Sequence, residues 1–160
     1  MLQFDKHGLI TPKEIIELSL VDFERIFVTE RQERNHRQRI FDEYIRHNDR
    51  IRKEIGPILF QFVNGSFTTL KDKPKDIDVA TFIDYQVYRR NEQAALDYMK
   101  DCKKVKEVDG FIVYRSYPGH PYFMQAQFSY DYWQDLFTLT RKNEEGKRFR
   151  KGLVKIQFNE

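Results

Sequence analysis

The sequence has little cysteine and no long apolar run, and these two absences narrow the classes of protein that it encodes. Its 160 residues include a single cysteine, Cys102, which cannot form an internal disulfide and cannot by itself build a cysteine metal site. This usage is typical of a reducing compartment, so we expect a cytoplasmic protein. No stretch of about 18 apolar residues occurs, and the N-terminus carries charges where a signal peptide needs an apolar run. We therefore expect neither secretion through a signal peptide nor membrane insertion.

The net charge is small and singles out no partner. The 28 Lys and Arg residues barely exceed the 25 Asp and Glu residues, for a formal charge of +3, which permits an anionic partner without requiring one. There is also no internal repeat and no low-complexity tract. Hydrophobic residues make up 40% of the chain, which is enough for a packed core. A chain of this length suits one domain, residues 1–160, that folds alone.

The capping and apolar patterns predict a helical N-terminal part, residues 1–55. Thr11 and Ser19 are each followed by an acidic residue three positions later, so we expect two short helices or one bent helix there. The range 30–54 lacks Gly and Pro, and its apolar residues recur at helical spacing, which predicts a longer helix. Its dense arginines are expected to form a solvated face, with nucleic-acid or phosphate contact as the alternative.

Beyond residue 56 the hydrophobic period changes from that of helices to that of strands. In the range 57–115 the runs ILFQFV, DIDVATFID and EVDGFIVYR are predicted strands. The segment YRRNEQAALDYMKDCKKV between the last two is a predicted helix. In the range 116–160, SYDYWQDLFTLTRK is a predicted helix that starts at a Ser cap, and LVKIQF is a final strand. The pattern predicts an α+β domain in which helices pack on a small mixed sheet.

Two aspartates at the start of the second predicted strand are candidate metal ligands. Asp76 and Asp78 are two residues apart, so in a strand both side chains project from one face, with α-carbons about 6.5–7 Å apart. Such a pair can hold ions that lie about 3.5–4 Å from each other. Oxygen ligands without His or Cys suit Mg²⁺, which shares its remaining coordination positions with water and substrate phosphates.

A Gly-Ser pair at the end of the preceding strand is a candidate phosphate site. Gly65 lets the backbone approach a phosphate without a side chain in the way, and Ser66 adds a hydroxyl donor beside backbone N–H groups. If the two strands pair, the Gly-Ser pair and the two aspartates meet. An ordinary hairpin with a polar, lysine-rich turn is the alternative at this point.

An in-line phosphoryl transfer site needs a third anionic ligand, and two further aspartates are candidates. Asp84 lies six residues of extended strand beyond Asp78, about 20 Å away, which is too far to share an ion. We therefore expect Asp84 to be a cap or turn residue. Asp109 lies on a different predicted strand and can reach the same ions if that strand lies beside the second one. Otherwise it is an ordinary strand-end residue.

These motifs resemble the active site of the DNA polymerase β-type nucleotidyltransferase superfamily. The shared features are a hydrophobic strand that ends in Gly-Ser, a short gap, Asp-hydrophobic-Asp, and a later single Asp on a strand. More narrowly, GSFTTLKDKPKDIDV, together with FDKHGLITPKEIIELSLVDFERIF and YWQDLFTLTRKNEEGKRFRKGLVKI, is similar to an uncharacterised family of small bacterial nucleotidyltransferase-like proteins. This narrower likeness covers nearly the whole chain.

The resemblance implies a minimal nucleotidyltransferase domain with a polymerase β palm-like fold. Gly65 and Ser66 would bind the β- and γ-phosphates. Asp76 and Asp78 would hold two Mg²⁺ or Mn²⁺ ions, and Asp109 would complete the ion that activates the acceptor hydroxyl.

The resemblance also implies further phosphate contacts from basic residues. In the loop after the Gly-Ser pair these are Lys71, Lys73 and Lys75, with a solvated turn as the alternative role for at least two of them. In the C-terminal part they are Arg141, Lys147, Arg148, Arg150 and Lys151, with a solvated face as the alternative.

The implied reaction transfers a nucleoside monophosphate from an NTP or dNTP to a hydroxyl and releases pyrophosphate. The acceptor classes are a protein side chain, as in toxin–antitoxin pairs, and a nucleotide or oligonucleotide, as in anti-phage defence signalling. A toxin or effector encoded nearby is the expected partner. Two alternatives stay open: a non-catalytic antitoxin or scaffold of the same fold, and a nucleic-acid-binding protein that uses its basic helix and tail.

Overall fold

The chain folds around a five-stranded sheet that has helices on both faces. A computed structural model describes residues 2–158. The strands are β1 Gln3–Phe4, β2 Ile10–Thr11, β3 Ile15–Leu18, β4 Phe60–Asn64, β5 Ile77–Asp84, β6 Val108–Arg115 and β7 Leu153–Gln157. The α-helices are α1 Leu20–Glu24, α2 Arg34–Glu54, α3 Tyr85–Arg90, α4 Glu92–Cys102 and α5 Phe123–Phe137. A π-helical turn, Arg25–Thr29, follows α1, and a 3₁₀ turn, Ser66–Thr68, follows β4.

The strand order brings several strand ends to one edge of the sheet. The order is β3-β7-β4-β5-β6, and β1 and β2 form a separate antiparallel pair. Strand β4 is antiparallel to both of its neighbours, β5 and β7, while β6 is parallel to β5. The C-terminal end of β4 therefore lies beside the N-terminal ends of β5, β6 and β7. The sheet is mixed and the fold is α+β, as the sequence predicts.

The two faces of the sheet pack against different helices. Along β5, Ile77, Val79 and Ile83 belong to the core that includes α2 and α4. Ala80 and Phe82 belong to the second core, which includes Phe137 of α5. Side chains of a strand alternate between faces, so a strand that is covered on both sides is apolar nearly throughout. By the same alternation Asp78 lies on the α5 side.

The N-terminal part contains strands as well as helices, and the first predicted helix start is wrong. Thr11 ends β2, and the residues after it form β3, which pairs in parallel with β7. The second start is confirmed, because the Ser19 hydroxyl accepts the N–H of Asp22 at 3.0 Å and caps α1. The apolar residues of β3 pack on the core. Tertiary packing at the sheet edge thus overrides the local helix preference of this segment.

Two other predicted helices have different bounds. The helix between β5 and β6 is split at Asn91, whose side-chain amide donates to the Val87 carbonyl at 3.0 Å and satisfies an end of α3. Helix α5 starts at Phe123, well before the predicted cap at Ser129, because Ala126 is fully buried against the sheet. Ser129 therefore lies inside the helix. Among residues 2–158 no helix has the length and apolar character that crossing a bilayer requires.

Candidate active site

The strand pairing places the predicted phosphate and metal residues side by side. Asn64 of β4 pairs with Asp78 of β5, and Asp78 pairs with Asp109 of β6. Paired residues on adjacent strands are about 5 Å apart, and their side chains share a face. The condition on Asp109 is met, since the third predicted strand does lie beside the second. Asp76 immediately precedes β5, so all three aspartates lie at one edge of the sheet.

Gly65 follows β4 and approaches the Asp78 carboxylate closely. Its φ is 83°, in the region that residues with a side chain rarely adopt. A β-carbon at this position would lie 2.3 Å from Asp78 Oδ2. A side chain is therefore excluded both by the backbone conformation and by the neighbouring carboxylate. Glycine keeps the backbone open directly beside the acidic group.

A cavity of about 470 Å³ adjoins these residues. Its lining combines two carboxylates, the Gly-Ser pair and several cations, namely Asp76, Asp78, Gly65, Ser66, Lys71, Lys75, Arg141 and Lys151. A larger cavity of about 720 Å³ lies beside β3. There Arg25 is already paired with Asp22 at 3.1 Å and with Glu30 at 2.7 Å. The smaller cavity is therefore the better candidate for binding a charged ligand.

Asp78 is the carboxylate at the centre of the acidic group. The pKa of Asp78 is raised to about 6, mainly by burial and then by the negative charges of Asp76 and Asp109, against the opposing effect of Arg141 and Lys151. Carboxylates that are held close together in a partly buried place repel each other, and a cation that binds between them relieves this repulsion. A cation bound between these carboxylates would therefore relieve part of the repulsion on Asp78.

The residues of the site fit a hard divalent cation that brings ligands of its own. In the part of the chain that the structure describes, no three Asp, Glu, His or Cys side chains form a ready metal cage. Mg²⁺, however, is usually held by one or two carboxylates and completes its coordination with water and substrate phosphates. Asp76 and Asp78 provide such oxygens, and Asp109 lies at the neighbouring position. These few carboxylate oxygens therefore fit a metal ion whose coordination is completed by a phosphate ligand.

Lys151 is buried beside the carboxylates, which the sequence does not reveal. It lies just before β7, is only 4% exposed, and its Nζ donates to the Gly65 carbonyl at 3.3 Å. Burial lowers the pKa of Lys151 to about 8, and the charge of Asp78 partly opposes this effect. Of the predicted basic residues in the C-terminal part, Arg141 and Lys151 line the cavity, while Lys147, Arg148 and Arg150 lie outside its lining.

The lysines of the loop after the Gly-Ser pair point in different directions. Lys71 and Lys75 line the cavity. Lys73 does not, since its Nζ lies 3.9 Å from Glu33 Oε1 at the start of α2. The structure therefore brings Lys71 to the candidate phosphate site and directs Lys73 away from it.

Arg37 anchors the same loop, and sequence reasoning missed this role. It was expected on a solvated arginine face, yet it is only 1% exposed. Its guanidinium donates to the carbonyls of Phe67 at 2.7 Å, of Thr69 at 3.0 Å and of Lys71. A fourth bond runs to the Phe27 carbonyl at 3.0 Å, so one side chain joins the π-helical turn to the loop.

The sequence contains a signal for the burial of Arg37. Arg37 precedes Ile40, Phe41 and Tyr44 by three, four and seven positions, which is the spacing of residues on one face of a helix. Arg37 therefore lies on the apolar stripe of α2 rather than opposite it. Burial lowers the pKa of Arg37 to about 10, and its carbonyl partners satisfy the buried donors.

Asp84 caps a helix, as the sequence predicts, and takes no part in the acidic group. Its Oδ1 accepts the N–H of Gln86 at 2.8 Å and of Val87 at 3.4 Å at the start of α3. It ends β5, whereas Asp78 lies near the beginning of the same strand.

Comparison with known proteins identifies a family and leaves the activity unnamed. A family model described as "Family of unknown function (DUF6932)" matches residues 2–157. No curated protein and no solved structure matches the chain significantly. Function therefore has to be argued from the site.

Proposed function

The chain belongs to the DUF6932 family of unknown function, and we propose that it is a metal-dependent nucleotidyltransferase with a polymerase β palm-like fold. It would transfer a nucleoside monophosphate from an NTP or dNTP to a hydroxyl acceptor and release pyrophosphate. The observation that carries the proposal is the strand pairing of Asn64, Asp78 and Asp109, with Gly65 against the Asp78 carboxylate. This pairing supports the proposal because it makes the candidate phosphate residues and the candidate metal residues neighbours.

In this proposal the acidic residues hold the metal ions. Asp76, Asp78 and Asp109 would bind two Mg²⁺ or Mn²⁺ ions, which supply positive charge to the attacking and leaving oxygens. The raised pKa of Asp78 supports this role, because its cause is partly the repulsion from Asp76 and Asp109. A cation would relieve that repulsion.

The Gly-Ser pair and the cations of the cavity would bind the triphosphate. Gly65 leaves the backbone without a side chain beside Asp78, and Ser66, which begins the 3₁₀ turn, also lines the cavity. Lys71, Arg141 and Lys151 would neutralise phosphate charge. Lys151 is held beside the Gly-Ser pair, since its ammonium group donates a hydrogen bond to the Gly65 carbonyl.

Turnover with labelled nucleotides tests the proposal. Each ribo- and deoxyribonucleoside triphosphate is incubated with the protein and Mg²⁺ or Mn²⁺, and pyrophosphate and label on protein or oligomer are measured. We expect Asp78→Asn to lower turnover by about a hundredfold or more, since metals stabilise the transition state by several kcal/mol. Asp84→Asn is the matched control, because it changes the other end of the same strand and keeps a capping side chain.

Two outcomes separate this proposal from its alternatives. Turnover that is absent with every nucleotide and metal, or that is equal in Asp78→Asn and the wild type, would exclude the enzyme. Nucleotide binding without turnover would instead indicate a non-catalytic module of the same fold. The molecule that carries the nucleotide label identifies the acceptor, which is a toxin, an effector or an oligonucleotide.

A further inference from the structure

The outer face of α5 carries a row of exposed apolar side chains. Met124, Phe128, Tyr132 and Leu136 recur every four residues and are 74%, 75%, 52% and 40% exposed. A spacing of four places them along one side of the helix. Among residues 2–158, four of the twelve exposed large hydrophobic residues lie on α5, and Tyr117 and Tyr122 lie just before it. A contiguous row of exposed apolar side chains on one element is typical of an interaction site.

The fold itself does not use this row. The inner side of α5 already packs on the sheet through Ala126 and Phe137, which are 0% and 4% exposed. Trp133 contacts Phe111 of β6 with ring centroids 4.5 Å apart. A hollow of about 540 Å³ lies on the outer side beside Phe128. The row is therefore additional to what the core requires.

The charges of α5 are all of one sign. Its only charged residues are Asp131 and Asp135, both exposed, although the chain contains 28 Lys and Arg. By the helical period of about 3.6 residues, both lie on the same side of the apolar row. Asp131 accepts a hydrogen bond from Gln127 at 2.9 Å, and neither carboxylate is in an ion pair with another described residue. The apolar row thus has an acidic edge.

We propose that this face of α5 binds a basic amphipathic helix of a partner protein. The apolar row would pack against the apolar side of the partner helix, where rows of residues spaced by four interdigitate. Asp131 and Asp135 would pair with Lys or Arg along its edge, which determines orientation and specificity. This inference does not depend on the proposed catalytic activity.

The acidic edge argues against other occupants. A second copy packed antiparallel about a two-fold axis would bring the acidic edge of one α5 against that of the other, and such like-charge contacts are unfavourable. An anionic membrane surface or a nucleic acid would be repelled in the same way. A partner with basic residues is the one that complements both the row and its edge.

A bound partner would lie next to the candidate active site. Helix α5 ends at Phe137, and Leu139, Thr140 and Arg141, which follow directly, line the 470 Å³ cavity. A helix along α5 would therefore reach the rim of that cavity.

Binding of two designed helical peptides tests the proposal. Both carry the same apolar row over about 20 residues, one with a Lys edge and one with a Glu edge. Fluorescence anisotropy with the full chain should show that the Lys-edged peptide binds at least about tenfold more tightly, with a preference that shrinks as salt rises to about 0.5 M. Phe128→Ser should lower the affinity for both peptides about tenfold. A double Asp131→Asn, Asp135→Asn variant should keep the affinity for the apolar row and lose only the preference for the Lys edge.

A matched control and defined outcomes complete the test. Leu96 lies on α4 and, like Leu136 of the row, is 40% exposed. Leu96→Ser should leave peptide binding unchanged. Failure of the Lys-edged peptide to bind, or equal binding of both peptides, overturns the proposal. A dimer in sedimentation that Phe128→Ser dissociates would show a homodimer interface instead. Binding to anionic vesicles that Phe128→Ser abolishes would show a membrane surface.

Discussion

Gly65 is the residue at which the backbone after β4 comes closest to the Asp78 carboxylate. Gly65→Ala combines a strained backbone with a β-carbon 2.3 Å from Asp78 Oδ2. We expect the free energy of unfolding to fall by about 2 kcal/mol or more, and nucleotide binding to fall with it. Urea denaturation and nucleotide titration measure the two effects.

Gly119→Ala is the control that separates backbone strain from the steric contact between an added β-carbon and Asp78. Gly119 has a φ of 90°, and apart from its two chain neighbours no residue has an atom within 4 Å of where its β-carbon would be. We expect this variant to show the backbone penalty, roughly 1 kcal/mol, and normal nucleotide binding. Equal losses in the two variants would mean that the contact with Asp78 has no energetic consequence.

Asp78 makes the stability of the fold depend on pH. Its pKa is raised from 3.8 to about 6, so the folded state holds the proton more tightly than the unfolded state does. The stability that this gives is fully present below pH 3.8 and is lost as the pH rises through about 6. Above that range the ionised carboxylate destabilises the fold.

Asp78→Asn cannot ionise, so it tests whether ionisation of Asp78 lowers the stability of the fold. Without divalent cations, we expect the variant to be more stable than the wild type at neutral pH, by on the order of 2 kcal/mol. The difference should vanish in acid, and Mg²⁺ should reduce it by stabilising the wild type. Urea unfolding across the pH range measures it. A variant that is less stable at neutral pH would show that Arg141 and Lys151 outweigh both burial and the repulsion from Asp76 and Asp109.

At the scale of elements, the junction between β5 and α3 depends on one side chain. Asp84 accepts two N–H groups at the start of α3, so Asp84→Ala should lower the free energy of unfolding by about 1 kcal/mol. Turnover should not change, because Asp84 and Asp78 lie toward opposite ends of β5. Thermal unfolding and the nucleotide assay measure this. Loss of activity in a folded Asp84→Ala protein would place Asp84 in the site after all.

Elements also differ in how far local sequence determines them. Helix α2 and strands β4, β5 and β6 were predicted at nearly their observed positions, because their periodicity is strong and their ends carry Gly, Pro or Asp. Strand β3 was predicted as a helix, because its capping pattern outweighs its short apolar run. Its pairing with β7 involves residues at the other end of the chain, which no local pattern contains.

At the scale of the whole molecule, both helical layers share one sheet, and this predicts cooperative unfolding. Trp133 is the only tryptophan and lies on α5, where it contacts Phe111 of β6. Its fluorescence therefore reports on the α5 layer, whereas far-ultraviolet circular dichroism reports on all helices. We expect the two signals to show one coincident transition in urea. An earlier fluorescence transition would mean that the α5 layer melts separately.

The sequence by itself determined the residue types of the site and those parts of it that one short segment contains. Gly65, Ser66, Asp76 and Asp78 lie within a single strand-turn-strand unit, so their proximity follows from local pairing. The pairing of Asp109 with Asp78 follows only from the tertiary structure, since the order of β5 and β6 in the sheet is not a local property. The tertiary structure also decided that Lys151 is buried at the site and that Arg37 is buried behind the loop that follows Gly65. The helical spacing of Arg37 to Ile40, Phe41 and Tyr44 hints at its burial, but its carbonyl partners and the burial of Lys151 depend on contacts between residues far apart in the chain.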